Sequence, residues 1–395
     1  MRISELRTKL KEKAWQFLKD SLYYQRESEP ATLQNINYNC DPDQKKAIIC
    51  YETKCYFMNL GKKNIDRTQP FEILKIINTF SHFGYAIDFI DCLDTRALET
   101  IKDKRYDLIF GFGETFYQLT NLHPSAISIL YMTENHPEFS YRQEKKRLDY
   151  YYERYGRKLK ITRSGKYYKV YHLQKVYSNV ITMGETQLLL NQYNNPYAIF
   201  PTGLINPDYI FRSKDHLKSR KHFLWMGSSG AVHKGLDLLL DVFNHRDDIV
   251  LHICGLMEKE RKNLFMPRKE NIFEYGHIDV KSDLFLQLVE KCSFIILPSC
   301  SEACSTAITT GMLHGLIPVV MKDAGFTRLE NNAIYLEDFK ISYLEEKLNE
   351  LSNSDSGKLN ILSRQIFDFA RNNFTIQVFE NNFKKVISDI LNVNQ

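Results

Sequence analysis

A loop at residues 227–235 carries residue types suited to binding phosphate. Its sequence, Gly-Ser-Ser-Gly-Ala-Val-His-Lys-Gly, follows an apolar run and precedes an amphipathic one. Small residues let a ligand approach the backbone, and free amide groups at a helix N-terminus attract anions. The loop has neither the Gly-Lys-Ser/Thr of a P-loop nor the Gly-x-Gly-x-x-Gly of a dinucleotide site. The pattern therefore leaves two interpretations equally open, a phosphate site and a purely structural turn.

A second loop places one carboxylate, Glu302, just past the buried run 294–297. The helix predicted to follow carries four hydroxyl side chains, those of Ser305, Thr306, Thr309 and Thr310. A carboxylate in this position can accept hydrogen bonds from sugar or ribose hydroxyls, while the helix N-terminus offers amide groups to an anion. The alternative is that Glu302 only caps the helix, a contribution below about 1 kcal/mol. Position alone does not decide between the two.

The first half of the chain offers further candidates after its predicted strands. Glu114 follows the run 107–110, and His136 follows the run 127–131. We expect both at the mouth of an acceptor pocket, although a histidine chosen in this way more often has a structural role.

Alternating strands and helices position these loops. Apolar runs alternate with amphipathic segments throughout, which predicts an α/β fold of two doubly wound domains in tandem. Ligands of such sheets bind at the carboxyl ends of the strands, where the candidate residues fall. The predicted boundaries are 1–210 for the first domain, 211–375 for the second, and 376–395 for a last helix that crosses back to the first.

The second half resembles a known family in the order and spacing of three motifs. They lie in the segments HFLWMGSSGAVHKG, FIILPSCSEACS and GLIPVVMKDAG. These segments are similar to the C-terminal domain of GT-B glycosyltransferases, in particular the large retaining family 4. In the first half, GYAIDFID and FPTGLI are looser matches. The resemblance implies two Rossmann-like domains facing a central cleft, with the acceptor bound by the first domain and a nucleotide sugar by the second.

The same resemblance implies an activity: transfer of a hexosyl unit from a nucleoside diphosphate sugar to a glycan acceptor, with retention. We expect that acceptor to be lipid-linked and to belong to cell-surface polysaccharide biosynthesis. The alternative is a non-catalytic relative that acts as a binding or scaffold subunit.

The resemblance also assigns roles to residues. Lys234 would neutralise the donor diphosphate and Glu302 would hold the donor sugar, so these two are the catalytic candidates. Gly61 would approach the phosphates from the loop after the first strand. The full set of donor-binding candidates is Gly227, Ser228, His233, Lys234, Glu302, Ser305, Thr306, Thr310 and Gly61.

Two positions depart from the family pattern. Ser228 stands where an arginine is usual, and Thr310 stands where a second glutamate would bind ribose. Neither replacement supplies the charge that is lost, which weakens the expected hold on phosphate and ribose. His233 and Arg328 are the candidates for replacing the missing arginine.

The positive charge of the chain is concentrated in one segment. The net charge is +5, yet residues 142–169 hold 11 basic and three acidic side chains. Tyrosines interleave with the basic residues there, as suits an anionic membrane surface, a polyprenyl-diphosphate acceptor or RNA. A helix packed on the first domain, with its charges in solvent, is an equally weighted alternative. We expect Lys145, Lys146 and Arg147 to contact the acceptor, and no nucleic acid partner, because the rest of the chain is slightly acidic.

Several other classes of function are not expected. The first residues are charged and no long apolar run occurs, so we expect a cytoplasmic protein, either free or peripheral on the inner face of the membrane. The eight cysteines show no zinc-type spacing and are expected to be reduced. No metal or cofactor is expected, because the one Asp-x-Asp sequence, at 41–43, precedes the first strand.

Overall fold

The computed structural model describes residues 32–37, 43–60, 67–163, 177–190, 193, 195–267 and 269–393. Two sheets organise these residues. The strands of the first sheet are β1 (Thr32–Leu33), β2 (Lys46–Tyr51), β3 (Ala86–Asp91), β4 (Leu108–Gly111), β5 (Ile127–Met132), β6 (Asn179–Thr182) and β7 (Tyr197–Ala198). Those of the second are β8 (His222–Met226), β9 (Val250–Cys254), β10 (Ile272–Gly276), β11 (Phe294–Leu297), β12 (Ile317–Met321) and β13 (Ile334–Leu336).

Both sheets are wound outwards from a central strand. The order is β1-β3-β2-β4-β5-β6-β7 in the first sheet and β10-β9-β8-β11-β12-β13 in the second. All neighbouring pairs are parallel except β1 and β3. The central strands are almost wholly apolar, as expected for strands buried on both faces. The winding reverses between β2 and β4 and between β8 and β11, which is where the carboxyl ends of parallel strands leave a crevice.

Helices connect the strands and cover the sheets. They are α1 (Thr53–Leu60), α2 (Gln69–His82), α3 (Gly113–Leu122), α4 (Pro137–Tyr155), α5 (His216–Ser219), α6 (Leu236–Asn244), α7 (Glu258–Arg261), α8 (Asp283–Lys291), α9 (Thr306–Met312), α10 (Ile341–Ser352), α11 (Ser356–Asn373) and α12 (Ile376–Val393). Among the described residues, no helix is long and apolar enough to span a membrane. In the sequence, apolar residues recur at helical spacing over residues 1–24 and predict an N-terminal helix, which lies outside the described residues.

Each half of the chain contributes one helix to the other half. The C-terminal helix α12 packs against α2 and places Phe379, Phe383 and Ile387 in the core of the first sheet. In the opposite direction, α4 leaves β5 and places Tyr151 in the core of the second sheet. The two domains are therefore joined by packed helices as well as by the linker between β7 and β8.

The position of α4 corrects the idea that the basic segment packs on the first domain. Arg154 forms ion pairs with Asp237 and Asp241 of α6. The Tyr155 ring stacks on Phe265 with 4.4 Å between ring centroids. The tyrosines and arginines of this segment are thus largely used to hold α4 on the second domain, because their spacing matches the face of α4 that meets α6.

Candidate functional site

A cleft of about 320 Å³ lies between the carboxyl edges of the two sheets. One wall comes from the second domain, from the loop after β8 and the loop after β11. The other wall comes from the first domain, from the ends of β2, β4 and β5 and the start of α2. We call these the C-terminal wall and the N-terminal wall.

Lys234 and Glu302 form an ion pair on the C-terminal wall. The distance from Lys234 Nζ to Glu302 Oε1 is 2.6 Å, and each side chain is only 9% exposed. The Ser299 hydroxyl donates a second hydrogen bond, of 2.9 Å, to the same carboxylate oxygen. Burial acts to raise the pKa of Glu302, but Lys234 and neighbouring positive charges outweigh it and lower that pKa. The pair therefore keeps both charges inside the cleft.

The backbone of the loop after β8 explains how Lys234 reaches this position. The Lys234 amide donates to the Gly230 carbonyl at 2.8 Å, and its carbonyl accepts from Trp225 Nε1 at 3.2 Å. Gly235 has a φ of +70°, and a Cβ there would lie 2.4 Å from the Pro298 carbonyl oxygen. Glycine at this position lets the two loops of the C-terminal wall meet, which brings lysine and glutamate together.

Glu302 is held by its backbone rather than used as a helix cap. Its amide donates to the Ala324 carbonyl at 2.6 Å, and its carbonyl accepts from Asn135 Nδ2 at 2.7 Å. The N-cap position of α9 is taken by Ser305. The carboxylate is thus directed to Lys234 and into the cleft, which decides against simple capping.

His233 is buried and neutral. Its Nε2–H donates to the Ser301 carbonyl at 2.8 Å, and its Nδ1 lies 3.2 Å from the Cys300 thiol. Burial lowers the pKa of His233 to about 4. The histidine lines the cleft but brings no positive charge at neutral pH, so it does not replace the missing arginine.

Arg328 does not replace it either. Its guanidinium donates to the carbonyls of Met183 and Ile199 at 3.0 and 2.9 Å and lies over the Phe200 ring. It is not among the residues that line the cleft. Arg328 therefore joins the two domains through carbonyl groups, which corrects the suggestion that it binds the donor.

The remaining donor candidates divide into three groups. Ser228, Ser305 and Thr306 line the cleft. Gly227 lies beside it, and Thr310 is buried with its hydroxyl accepting the Leu204 amide at 3.0 Å. That bond corrects the expectation that Thr310 faces a ribose. Gly61 lies outside the described residues.

In contrast to most of the donor candidates, the acceptor candidates do not line the cleft. Neither Glu114 nor His136 lines the cleft: Glu114 accepts a 3.2 Å hydrogen bond from Gln118, and His136 caps α4 by accepting from the Glu138 amide. Lys145 and Lys146 are exposed on α4, outside the cleft.

Arg147 corrects the prediction most directly. It is fully buried and donates to the carbonyls of Val232 and Pro298 at 3.3 and 2.8 Å. It therefore braces the two loops of the C-terminal wall from behind, and it has no surface with which to contact an acceptor.

The sequence reasoning did not select several residues that line the cleft, and four of them matter for its chemistry. Glu52 follows β2, Glu72 lies in the first turn of α2, Asn135 follows β5, and Arg163 follows α4. Glu72 is 2% exposed, and burial raises its pKa to about 7 although the Thr202 amide donates to it. Asn135 and Arg163 stood inside segments that the sequence did mark, the Glu-Asn-His triplet and the basic segment, but their neighbours were selected instead.

The described residues form no metal centre. They contain no group of three or more His, Cys, Asp or Glu side chains that could hold an ion. The seven cysteines among them are free and buried.

Comparisons with known proteins show the class of fold. No protein-family model matches the sequence, and no curated protein matches it significantly. Anabaena HepE in complex with UDP-glucose is similar with a TM-score of 0.57 and 13% identity, over 88% of this chain and 100% of HepE. WaaG, a glycosyltransferase involved in lipopolysaccharide biosynthesis, is similar with a TM-score of 0.55 and 12% identity, over 86% of this chain and 99% of WaaG.

TarM gives a weaker match of the same kind. Its TM-score is 0.51 at 15% identity over 76% of this chain, which spans 59% of the length of TarM. At such identities the likeness concerns the fold. The protein has the GT-B fold, with two Rossmann-like domains facing a cleft, as the sequence predicted. Its narrower assignment to the retaining family 4 stays a prediction.

Proposed function

We propose that this protein is a glycosyltransferase that uses a nucleoside diphosphate sugar as donor. The observation that carries the proposal is the ion pair of Lys234 and Glu302 on the C-terminal wall of the cleft. The pair follows β8 and β11, at the point where the winding of the second sheet reverses and ligands of such sheets bind. HepE, which has the same fold, was solved in complexes with UDP and with UDP-glucose.

The chemistry of sugar transfer accounts for both members of the pair. The leaving nucleoside diphosphate gains negative charge as the glycosidic bond breaks, and the fixed ammonium group of Lys234 stabilises that charge. The Glu302 carboxylate keeps its second oxygen for hydroxyl groups of the donor sugar. Ser305 and Thr306 line the cleft at the start of α9 and bound the same space.

The N-terminal wall favours a neutral, hydroxyl-rich acceptor. Glu52 and Glu72 line it, and carboxyl groups form hydrogen bonds with sugar hydroxyls but bring no positive charge to bind phosphate. We therefore propose a glycan as the group that enters the cleft. A polyprenyl diphosphate, if the glycan is lipid-linked, would lie outside the cleft.

The remaining parts of the proposal concern stereochemistry and setting. We infer a hexosyl donor, retention of configuration, and a role in cell-surface polysaccharide synthesis by a cytoplasmic protein that is peripheral on the membrane. WaaG, named for lipopolysaccharide biosynthesis, has the same fold. No metal or cofactor enters the proposed reaction, because the positive charge is supplied by side chains.

A titration with nucleoside diphosphates tests the donor. UDP, GDP, ADP, CDP and dTDP are titrated into the protein in a calorimeter, and each matching nucleotide sugar is then assayed for hydrolysis. We expect one base to bind most tightly and its sugar nucleotide to be turned over, with the anomeric configuration of the product read by NMR. If no member binds, the proposal is wrong.

Turnover by the unmodified protein separates the enzyme from its main alternative, a non-catalytic binding subunit, and the Glu302→Gln variant then tests the role of Glu302. The alternative is favoured by Thr310, whose buried hydroxyl contacts the backbone instead of a ribose. An enzyme loses turnover when Glu302 becomes glutamine while the fold is kept. A binding subunit shows nucleotide binding but no turnover in the unmodified protein.

A further inference from the structure

Arg163 is a cation beside the loop after β8, residues 227–235, which we call the donor loop. It comes from the first half of the chain, whereas the donor loop belongs to the second. It follows α4 and lines the cleft together with Ser228 and Lys234. Its Nη1 donates to the Ser229 hydroxyl at 3.3 Å. The guanidinium therefore lies at the loop after β8, although Arg163 precedes that loop by more than 60 residues in the chain.

A buried glutamate fixes the backbone that carries Arg163. Glu144 of α4 is 1% exposed, and its Oε1 accepts the amides of Thr162 and Arg163 at 3.0 and 3.2 Å. Because α4 is itself docked on the second domain by Arg147 and Arg154, Arg163 is held relative to the donor loop.

The donor loop is shaped to admit this side chain. Gly230 has a φ of +78°, and a Cβ built there would lie 3.0 Å from Cδ and 3.1 Å from Cγ of Arg163. The aliphatic part of the arginine therefore rests on a glycine, which leaves the guanidinium beside Ser229.

The basic side chains in the cleft differ in whether they can offer a positive charge to a ligand. Lys234 is already paired with Glu302, and His233 is neutral because burial lowers its pKa to about 4. Among the described residues, Arg163 has no carboxylate within ion-pair distance, and one hydrogen bond uses one of its five N–H donors. Of the two cations that line the cleft, Lys234 and Arg163, only Arg163 forms no ion pair with another described residue.

We propose that Arg163 binds the diphosphate of the donor together with Lys234. This inference rests on the proposed function. A guanidinium offers two parallel N–H groups to two phosphate oxygens, and such charge-assisted pairs are the stronger kind of hydrogen bond. The donor site is then completed by a residue from the segment between β5 and β6, so the phosphates are bound across the domain boundary.

Calorimetric titration of four proteins tests the assignment: the unmodified chain, Arg163→Gln, Arg163→Lys and Arg142→Gln. Arg142 is exposed on α4 and lies outside the cleft, so its variant removes the same charge without touching the site. The probes are inorganic pyrophosphate, UDP and uridine. Thermal unfolding of each variant confirms that the fold is kept.

We expect Arg163→Gln to weaken pyrophosphate and UDP binding by roughly 10- to 100-fold and to leave uridine binding unchanged. Arg163→Lys should lie in between, because it keeps the charge and loses the paired donors. Arg142→Gln should match the unmodified chain. Equal pyrophosphate affinity in Arg163→Gln and the unmodified chain would overturn the role of Arg163.

The two proposals fail in different ways. If the unmodified chain binds UDP and Arg163→Gln binds it equally well, the glycosyltransferase proposal survives without Arg163. If no nucleoside diphosphate binds but pyrophosphate does, and Arg163→Gln abolishes that binding, Arg163 serves an oxyanion site of another function. If the unmodified chain binds neither pyrophosphate nor any nucleoside diphosphate, both proposals are wrong.

Discussion

Two buried carboxylates lie on opposite walls of the cleft and differ in their charge state. Glu302, on the C-terminal wall, has Lys234 at 2.6 Å, and its pKa is lowered in spite of burial. Glu72, on the N-terminal wall, accepts the Thr202 amide, and burial raises its pKa to about 7. Among the described residues, no cation lies within ion-pair distance of Glu72. The partner, and not the depth, decides which carboxylate stays charged.

This difference suggests a division of labour between the walls. Lys234 on the C-terminal wall, with Arg163 beside that wall, suits a ligand that gains negative charge. The N-terminal wall brings Glu52 and Glu72, which suit hydroxyl groups and, at the pKa of Glu72, the movement of a proton near neutral pH. In the proposed reaction the donor lies on the C-terminal wall and the acceptor on the N-terminal wall.

Removing Lys234 should have the largest effect, because it turns Glu302 into a second unpaired carboxylate. We expect Lys234→Met to lower the free energy of unfolding by about 3–5 kcal/mol at pH 8, the usual cost of breaking a buried pair. The loss should be smaller at pH 5 than at pH 8, because burial favours the protonated form of a glutamate that has lost its lysine. Donor turnover should fall roughly 100-fold or more. Urea unfolding at both pH values and steady-state kinetics measure the two effects.

The double variant Lys234→Met with Glu302→Gln is the matched control. It removes both charges of the pair and so leaves neither one buried without its partner, and it should recover much of the stability without recovering turnover. Equal stability of the single and double variants would show that Glu302 does not depend on Lys234 for its charge.

Glu72→Gln should have the opposite effect on stability. The pKa of Glu72 is about 7 in the folded chain and about 4.3 when unfolded. Its contribution is therefore most favourable below pH 4 and is lost as the pH rises through 7. Glutamine removes this loss, so the variant should be more stable at pH 8 by up to about 3 kcal/mol and no more stable near pH 4. Turnover should fall, because the carboxylate is gone.

An exposed glutamate supplies the control for that experiment. Glu346 lies on the surface of α10, so Glu346→Gln should shift stability by a few tenths of a kcal/mol at either pH. A pH-independent effect of Glu72→Gln would mean that Glu72 is not the buried, raised-pKa group described here.

The positions of Lys234 and Glu302 on the C-terminal wall were predictable from the sequence, because a local sequence pattern marks each of them. Lys234 and Glu302 each follow an apolar strand within one loop, and parallel strands bring such loops to one edge. Their proximity therefore follows from two local patterns and one rule of topology, although the ion pair between them was not predicted. The Rossmann-like fold was predictable for the same reason, since each strand and helix is marked by its own apolar run.

The N-terminal wall was not predictable, because its residues lie far apart in the sequence and become neighbours only through tertiary packing. In the sequence Glu72 is an ordinary first-turn glutamate of α2. Its pKa is raised by burial and partly lowered again by the amide of Thr202, a residue far along the chain. In the sequence, Arg147 looks like its two basic neighbours, Lys145 and Lys146. It is buried because α4 crosses to the second domain, and no local pattern marks that crossing.

Asn135 joins the two walls, and its replacement should have an intermediate effect. Its Nδ2 donates to the carbonyls of Glu302 and Ala324 at 2.7 and 2.9 Å. We expect Asn135→Ala to cost about 2 kcal/mol, because two buried carbonyls lose a donor. Asn135→Asp has the same shape but turns a carboxylate oxygen towards those carbonyls, so it should cost more. Urea unfolding ranks the three chains, and an aspartate variant as stable as the parent would contradict this contact.

Replacing Lys145 and Lys146 together should have the smallest effect on the cleft. Both are exposed on α4, whereas Arg147 beside them is buried. Lys145→Ala with Lys146→Ala should change stability by less than about 0.5 kcal/mol and leave UDP affinity unchanged. If these lysines contact the membrane, binding to vesicles with anionic lipid should fall about tenfold or more, since each contributes about 1 kcal/mol there. Unchanged vesicle binding would remove them from any membrane contact, and weaker UDP binding would place them in the cleft, against the division between the walls.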